Sequence, residues 1–148
     1  MSAGYLLDTS VLSLLAPDRL APGTALALWL RKHIDELYLS AVSVVEIEQG
    51  IAKLRQAGGT ERANRLTQWL DALLSGAADR VLPLDHRVAR VAGALSDRAV
   101  AMGRHPGFAD VAIAATAIAH ELVLLTCNGR HFAPLGVALL DPVENLPI

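Results

Sequence analysis

Short apolar runs alternate along this chain with longer stretches in which apolar residues recur at helical spacing. "YLLD" at 5–8 reads as a buried strand, and "VLSLLA" after it as a helical turn or two before Pro17 and Pro22 interrupt it. "GTALALWLRKHI" carries the helical period and "ELYLSA" returns to a strand pattern, so a βαβ unit opens the chain. The stretch from Ser43 to about Ala57 predicts a helix with a capping box, Ser43 as N-cap and Glu46 three residues on. Gly58 and Gly59 end it. A second helix starts at Thr60, with an apolar stripe through Leu66, Trp69, Leu70 and Leu73.

Beyond this helical hairpin, "RVLPLD" predicts a third strand, followed by a helix from about Asp85 to Met102 and a loop, "GRHPGF". "ADVAIAATAIAHE" is an alanine-rich helix leading straight into the strand "LVLLT", and "VALLD" is a last short strand. Strands that alternate with helices imply a parallel sheet, because parallel neighbours need crossover connections. The expected fold is a three-layer α/β/α arrangement around a central parallel sheet of four to five short strands. With no internal repeat or linker, residues 1–148 are expected to form a single domain.

Composition narrows the class. The 148 residues are 53% hydrophobic but only 4% aromatic, so the core should be aliphatic, and disorder is excluded. No apolar run reaches the roughly 18 residues of a membrane span, and the first residues lack the basic segment of a signal peptide. No membrane association and a cytoplasmic location are expected. One cysteine, Cys127, rules out an internal disulfide and a cysteine-based zinc cluster. A formal net charge of −2 means that any nucleic acid must be bound through a local patch or through metal ions.

Ligands of open parallel sheets bind outside the carboxyl ends of the strands. Asp8 follows the first strand directly, Glu46 lies near the start of the helix leaving the second, Asp110 opens the crossover helix that feeds "LVLLT", and Asn128 follows that strand. Four polar side chains from distant parts of the chain thus converge on one edge. Each also has a local explanation: a helix cap for Asp8, the capping box for Glu46, a helix dipole for Asp110, Asn-Gly turn chemistry for Asn128. Capping alone does not predict that the acids gather. Two carboxylates about 5 Å apart repel by roughly 3 kcal/mol at an effective dielectric near 20, so the cluster needs a cation or raised pKa values. All-oxygen ligation suits Mg²⁺ or Mn²⁺, and such ions clamp phosphate oxygens and activate water.

These residues resemble the motifs of PIN-domain ribonucleases, in particular the VapC-type toxins of bacterial toxin–antitoxin pairs, over almost the whole chain. "LLDTSVL" is similar to the opening motif, "SAVSVVEIEQGI" to the second, "FADVAIAATA" to the third and "LLTCNGRHF" to the fourth. The resemblance implies a PIN-like fold and a metal-dependent endoribonuclease in which Asp8, Glu46 and Asp110 ligate Mg²⁺ or Mn²⁺, with Asn128 completing the catalytic set. Thr9 and Ser10 would stand beside the first acid, and Thr126 would belong to the fourth motif. It also implies an RNA substrate, a homodimer, and a cognate VapB-type antitoxin, for which the hairpin over residues 43–75 is a candidate contact. Two departures stand out: neutral Asn128 where many relatives have Asp, and Cys127 where Arg is common.

Arg104, in the loop before Asp110, is near enough in sequence to reach a phosphate, or is a solvated loop charge. Arg87, Arg90 and Arg98 share one helix and either guide RNA or form a wet face. His105 and His131 lie near the proposed edge without an assigned role. Two rival functions remain: a degenerate PIN domain that acts by protein–protein interaction alone, and an aspartyl-phosphate fold with Asp8 as nucleophile. The second wants an acid where Ser10 stands, or an acidic pair and a late lysine that are missing.

Overall fold

The computed structural model describes residues 4–147. Five strands, β1 (Tyr5–Leu7), β2 (Leu37–Ser40), β3 (Val81–Leu82), β4 (Val123–Leu125) and β5 (Leu139–Leu140), form one sheet in the order β3-β2-β1-β4-β5. Every pairing is parallel. Period-2 alternation sends successive residues to opposite faces: Leu6 and Leu124 join one core, Leu7, Leu39 and Leu125 the other. Both faces are therefore buried, which is why the strands read as unbroken apolar runs.

The helices are α1 (Thr9–Leu12), α2 (Ala25–Lys32), α3 (Ala41–Gln56), α4 (Thr60–Gly76), α5 (His86–Ala101), α6 (Phe108–Ala119) and α7 (Gly129–Phe132). Helices α1 to α4 pack on one face around Leu12, Leu30, Ile47, Ile51 and Leu70, and α5 and α6 on the other around Val88, Leu95 and Ile113. Helix α6 is buried almost all round, and its alanines let α5 and the sheet approach closely. Among the described residues no helix is long and apolar enough to cross a membrane.

One helix start differs from the sequence expectation. Helix α3 begins at Ala41, and its N-cap is Ser40, whose hydroxyl accepts from the Val42 amide at 3.1 Å. Ser43 lies inside the first turn, fully buried, so the capping box with Glu46 does not form. The strand ends at Ser40 with no intervening loop, and the serine nearest the strand takes the cap. The far end is as expected: Gly58 adopts φ +91°, and the Gly59 amide donates to the Leu54 carbonyl, closing α3.

The stripe of α4 is mostly core: Leu70 is buried, and Leu66, Trp69 and Leu73 pack against the same cluster. Arg87 of α5 donates to the Ala119 carbonyl at the end of α6, which engages one of its five N–H groups locally. Replacement of the observed cap, Ser40→Ala, should cost about 1 kcal/mol in a urea unfolding experiment; an unchanged midpoint would contradict this helix start.

Candidate active site

The register of Leu7 with Leu39 and Leu125 brings Asp8, Ser40 and Thr126 to the same level of the carboxyl edge. Asp8 is 4% exposed, and its backbone stays tied to the sheet through its amide and the Leu125 carbonyl at 2.9 Å. Its carbonyl accepts from the amides of Val11 and Leu12, but its carboxylate makes no cap hydrogen bond to α1. The capping explanation therefore fails for this side chain.

The Asp8 carboxylate is held from two directions instead. The hydroxyls of Ser10 and Thr126 both donate to Oδ2 at 2.8 Å. Each hydroxyl is itself oriented by a backbone amide, Cys127 N–H to Ser10 Oγ at 3.0 Å and Asn128 N–H to Thr126 Oγ1 at 2.9 Å. The result is a closed loop of donors joining β1 to the segment after β4. It loads one oxygen and leaves Oδ1 with no protein donor among the described residues.

Thr9 points the other way. Its hydroxyl donates to Glu46 Oε1 at 2.6 Å and lies 2.9 Å from Ser43 Oγ. A hydroxyl carries one proton, so Ser43 must donate to Thr9. The buried Ser43, expected as a cap, thus acts as the far end of a relay that fixes Glu46. Sequence spacing hid this because Thr9 and Ser43 stand 34 residues apart and meet only when α1 packs on α3.

Asp110, in the first turn of α6, has 30% of its side chain exposed. Burial first, and then the charge of Asp8, push its carboxyl above the usual carboxylate range, while His131 pulls it back. Asp8 and Asp110 are therefore close enough to sense each other. His131 Nδ1 lies 3.8 Å from Asp110 Oδ2. Arg104, His105, Asp110 and His131 line one groove of about 360 Å³, so Arg104 does share the edge with the acid. Asn128 is exposed, makes no cap hydrogen bond with its side chain, and lines a neighbouring groove with His131 and Asp141. Cys127 is half-buried and its thiol is pushed up by burial and by Asp141, which removes it as a nucleophile.

A scan of families matches the PIN domain model over residues 5–136. The chain belongs to the PIN-domain family. Toxin FitB of Neisseria gonorrhoeae is 34% identical over 93% of this chain and 96% of its own length. VapC ribonuclease Y4jK of Sinorhizobium fredii is 34% identical over 93% and 96%. The crystal structure of FitAcB from Neisseria gonorrhoeae superposes with a TM-score of 0.79 at 32% identity, covering 95% of this chain and 99% of that one.

PIN-domain nucleases generally use a divalent metal, and the donor chemistry here fits one. The edge offers an unengaged carboxylate oxygen on Asp8, a second acid in electrostatic contact with it, and an amide carbonyl on Asn128. Glu46 is engaged by Thr9, and among the described residues no three His, Cys, Asp or Glu side chains stand, as placed, in a group that could hold an ion.

Two predictions follow from this geometry. Thr126→Val leaves Oδ2 with one donor and strands the Asn128 amide, at a cost of about 1–3 kcal/mol by urea unfolding. For Asp110, a raised folded pKa means that folding gains from the protonated group at low pH. That gain is lost as pH rises from the ordinary carboxylate value through the raised one. In EDTA, Asp110→Asn should accordingly raise Tm at pH 7, and the difference should disappear as pH falls through that window. A Tm difference that stays flat would contradict the assigned burial cost.

Proposed function

We propose that this PIN domain, as a single domain over residues 1–148, is a toxin ribonuclease that hydrolyses RNA phosphodiester bonds with Mg²⁺ or Mn²⁺ and is restrained by a cognate VapB-type antitoxin. The observation that carries the reading is Asp8: a buried carboxylate whose local capping role is unused, anchored on one oxygen and open on the other, with Asp110 beside it. The toxin and ribonuclease names of relatives that align over more than nine-tenths of the chain support the activity and the partner. A cytoplasmic homodimer is part of the same proposal.

Asp8, Glu46 and Asp110 would hold the metal, with Asn128 contributing its carbonyl. When bound, the ion supplies a Lewis acid for phosphate oxygens and lowers the pKa of water that adds to phosphorus. The chain's own residues do the rest. Ser10 and Thr126 orient the Asp8 carboxylate by donating to one of its oxygens. Thr9, fixed by Ser43, sets the rotamer of Glu46. Arg104 is placed to fork onto a phosphate oxygen in the groove it shares with Asp110. Hydrolysis breaks one P–O bond, and the water oxygen takes its place.

A second reading, a PIN domain that acts only by binding other proteins, draws on the neutral Asn128 and on the engagement of Glu46 by Thr9. Cleavage separates the two. Purified antitoxin-free protein should cut a labelled pool of structured cellular RNAs with Mn²⁺ and not with EDTA. Asp8→Asn should abolish cutting, a loss on the order of 10³-fold or more, while the circular dichroism spectrum is unchanged. Undiminished cutting by Asp8→Asn would refute the assignment.

A further inference from the structure

The acids do not stand alone on their edge. On the side of Glu46, a groove of about 230 Å³ runs between α1, α3 and α4; its floor is mostly apolar, with Ile47, Leu66 and Trp69, and Thr9, Arg19, Glu46 and Arg62 stand among its lining residues. Thr9 and Glu46 belong to the candidate active site, so the groove opens directly from it. Its two cations are unmatched: among the described residues neither Arg19 nor Arg62 has a carboxylate within 4 Å, whereas nearby Arg65 pairs with Asp18 at 3.4 Å. The one acid in the groove, Glu46, is engaged by Thr9.

On the opposite side of the acids, beyond Asp110, Arg104, His105 and His131 line the other groove. Strand order fixes this arrangement. Glu46 follows β2, Asp8 follows β1, and Asn128 follows β4, while Asp110 opens the helix that feeds β4, so these polar side chains form a row along the edge with Arg19 and Arg62 toward one end and Arg104 toward the other. A chain with a formal net charge of −2 attracts a polyanion only through such local groups. Phosphates spaced along a strand match cations on both sides of a cleavage point.

We propose that the groove of Arg19 and Arg62 is a phosphate-binding subsite for single-stranded RNA, holding the backbone next to the phosphodiester that is cut. This deepens the ribonuclease reading and rests on it. The two guanidiniums take phosphate oxygens, and the half-buried Trp69 adds aromatic surface of the kind that single-stranded bases use. Unstacked bases of a single strand are the form in which proteins read RNA sequence, and loops present them.

The test uses the full chain carrying Asp8→Asn, so that binding is read without cleavage. The probe is a labelled single-stranded RNA of mixed sequence, titrated at several salt concentrations. Adding Arg19→Ala and Arg62→Ala should weaken binding on the order of tenfold and lower the slope of log affinity against log salt by roughly 1.4, about 0.7 for each lost contact. Arg65→Ala in the same background removes a charge outside the groove and should leave the slope unchanged. Arg19→Lys and Arg62→Lys together should restore the slope, which separates charge loss from misfolding. Affinity and slope equal to those of Arg65→Ala would overturn the subsite. So would loss of affinity for a polyglutamate peptide with RNA binding intact, which would give the groove to an acidic protein segment. If the wild type cuts RNA and the double variant binds normally, the subsite alone falls. If the wild type cuts nothing while the arginines still govern RNA binding, the nuclease reading falls, and with it the subsite's place beside a cut bond, leaving an RNA-binding groove.

Discussion

The arrangement depends on one buried carboxylate. Taking Asp8 out of water costs free energy unless its charge is met by donors, and the fold meets it with two hydroxyls from opposite sides of the β1–β4 seam. Those hydroxyls need the parallel register of Leu7 with Leu125, and they need backbone amides at Cys127 and Asn128 to aim them. Strand pairing, the turn after β4 and the orientation of the Asp8 carboxylate are thereby tied into one unit. Both donors fall on the same oxygen, so the anchoring leaves the other oxygen free to coordinate.

The neighbouring acids are handled differently, and the contrast is informative. Asp110 sits in partial burial against the charge of Asp8 with only a distant imidazole to relieve it, so it carries the electrostatic cost of the cluster. Glu46 is steadied by a hydroxyl relay from α1 and the interior of α3. One acid is satisfied, one is under strain from its neighbour, and one is held by a neutral donor. A divalent cation would relieve the repulsion between Asp8 and Asp110, which makes the metal-free site the less comfortable state of the same edge.

Much of this was legible in the residues. Apolar runs too short for membranes, alternating with helical periods, gave the parallel sheet and all five strands, and the rule that ligands gather at carboxyl ends pointed to Asp8, Glu46, Asp110 and Asn128. Local rules failed where tertiary contacts outbid them. Ser43 has the spacing of a cap, yet Ser40 ends the strand and takes that role, which frees Ser43 to meet Thr9. Asp8 has the place of a cap, yet Thr126 reaches it from 118 residues away. The pairing of His131 with Asp110 and the groove of Arg19 and Arg62 leave no mark in spacing, because each joins side chains from separate helices that meet only through packing.

Whether the oxygens of this edge hold a divalent cation is read by titration of Mn²⁺ into the protein, followed by calorimetry or by the loss of the free-ion paramagnetic signal. Saturable binding is expected, weakened on the order of tenfold or more by Asp110→Asn and lost with Asp8→Asn, each consistent with removal of one anionic ligand. Absence of saturable binding in the folded wild type, or binding indifferent to both substitutions, would contradict a metal site at this edge.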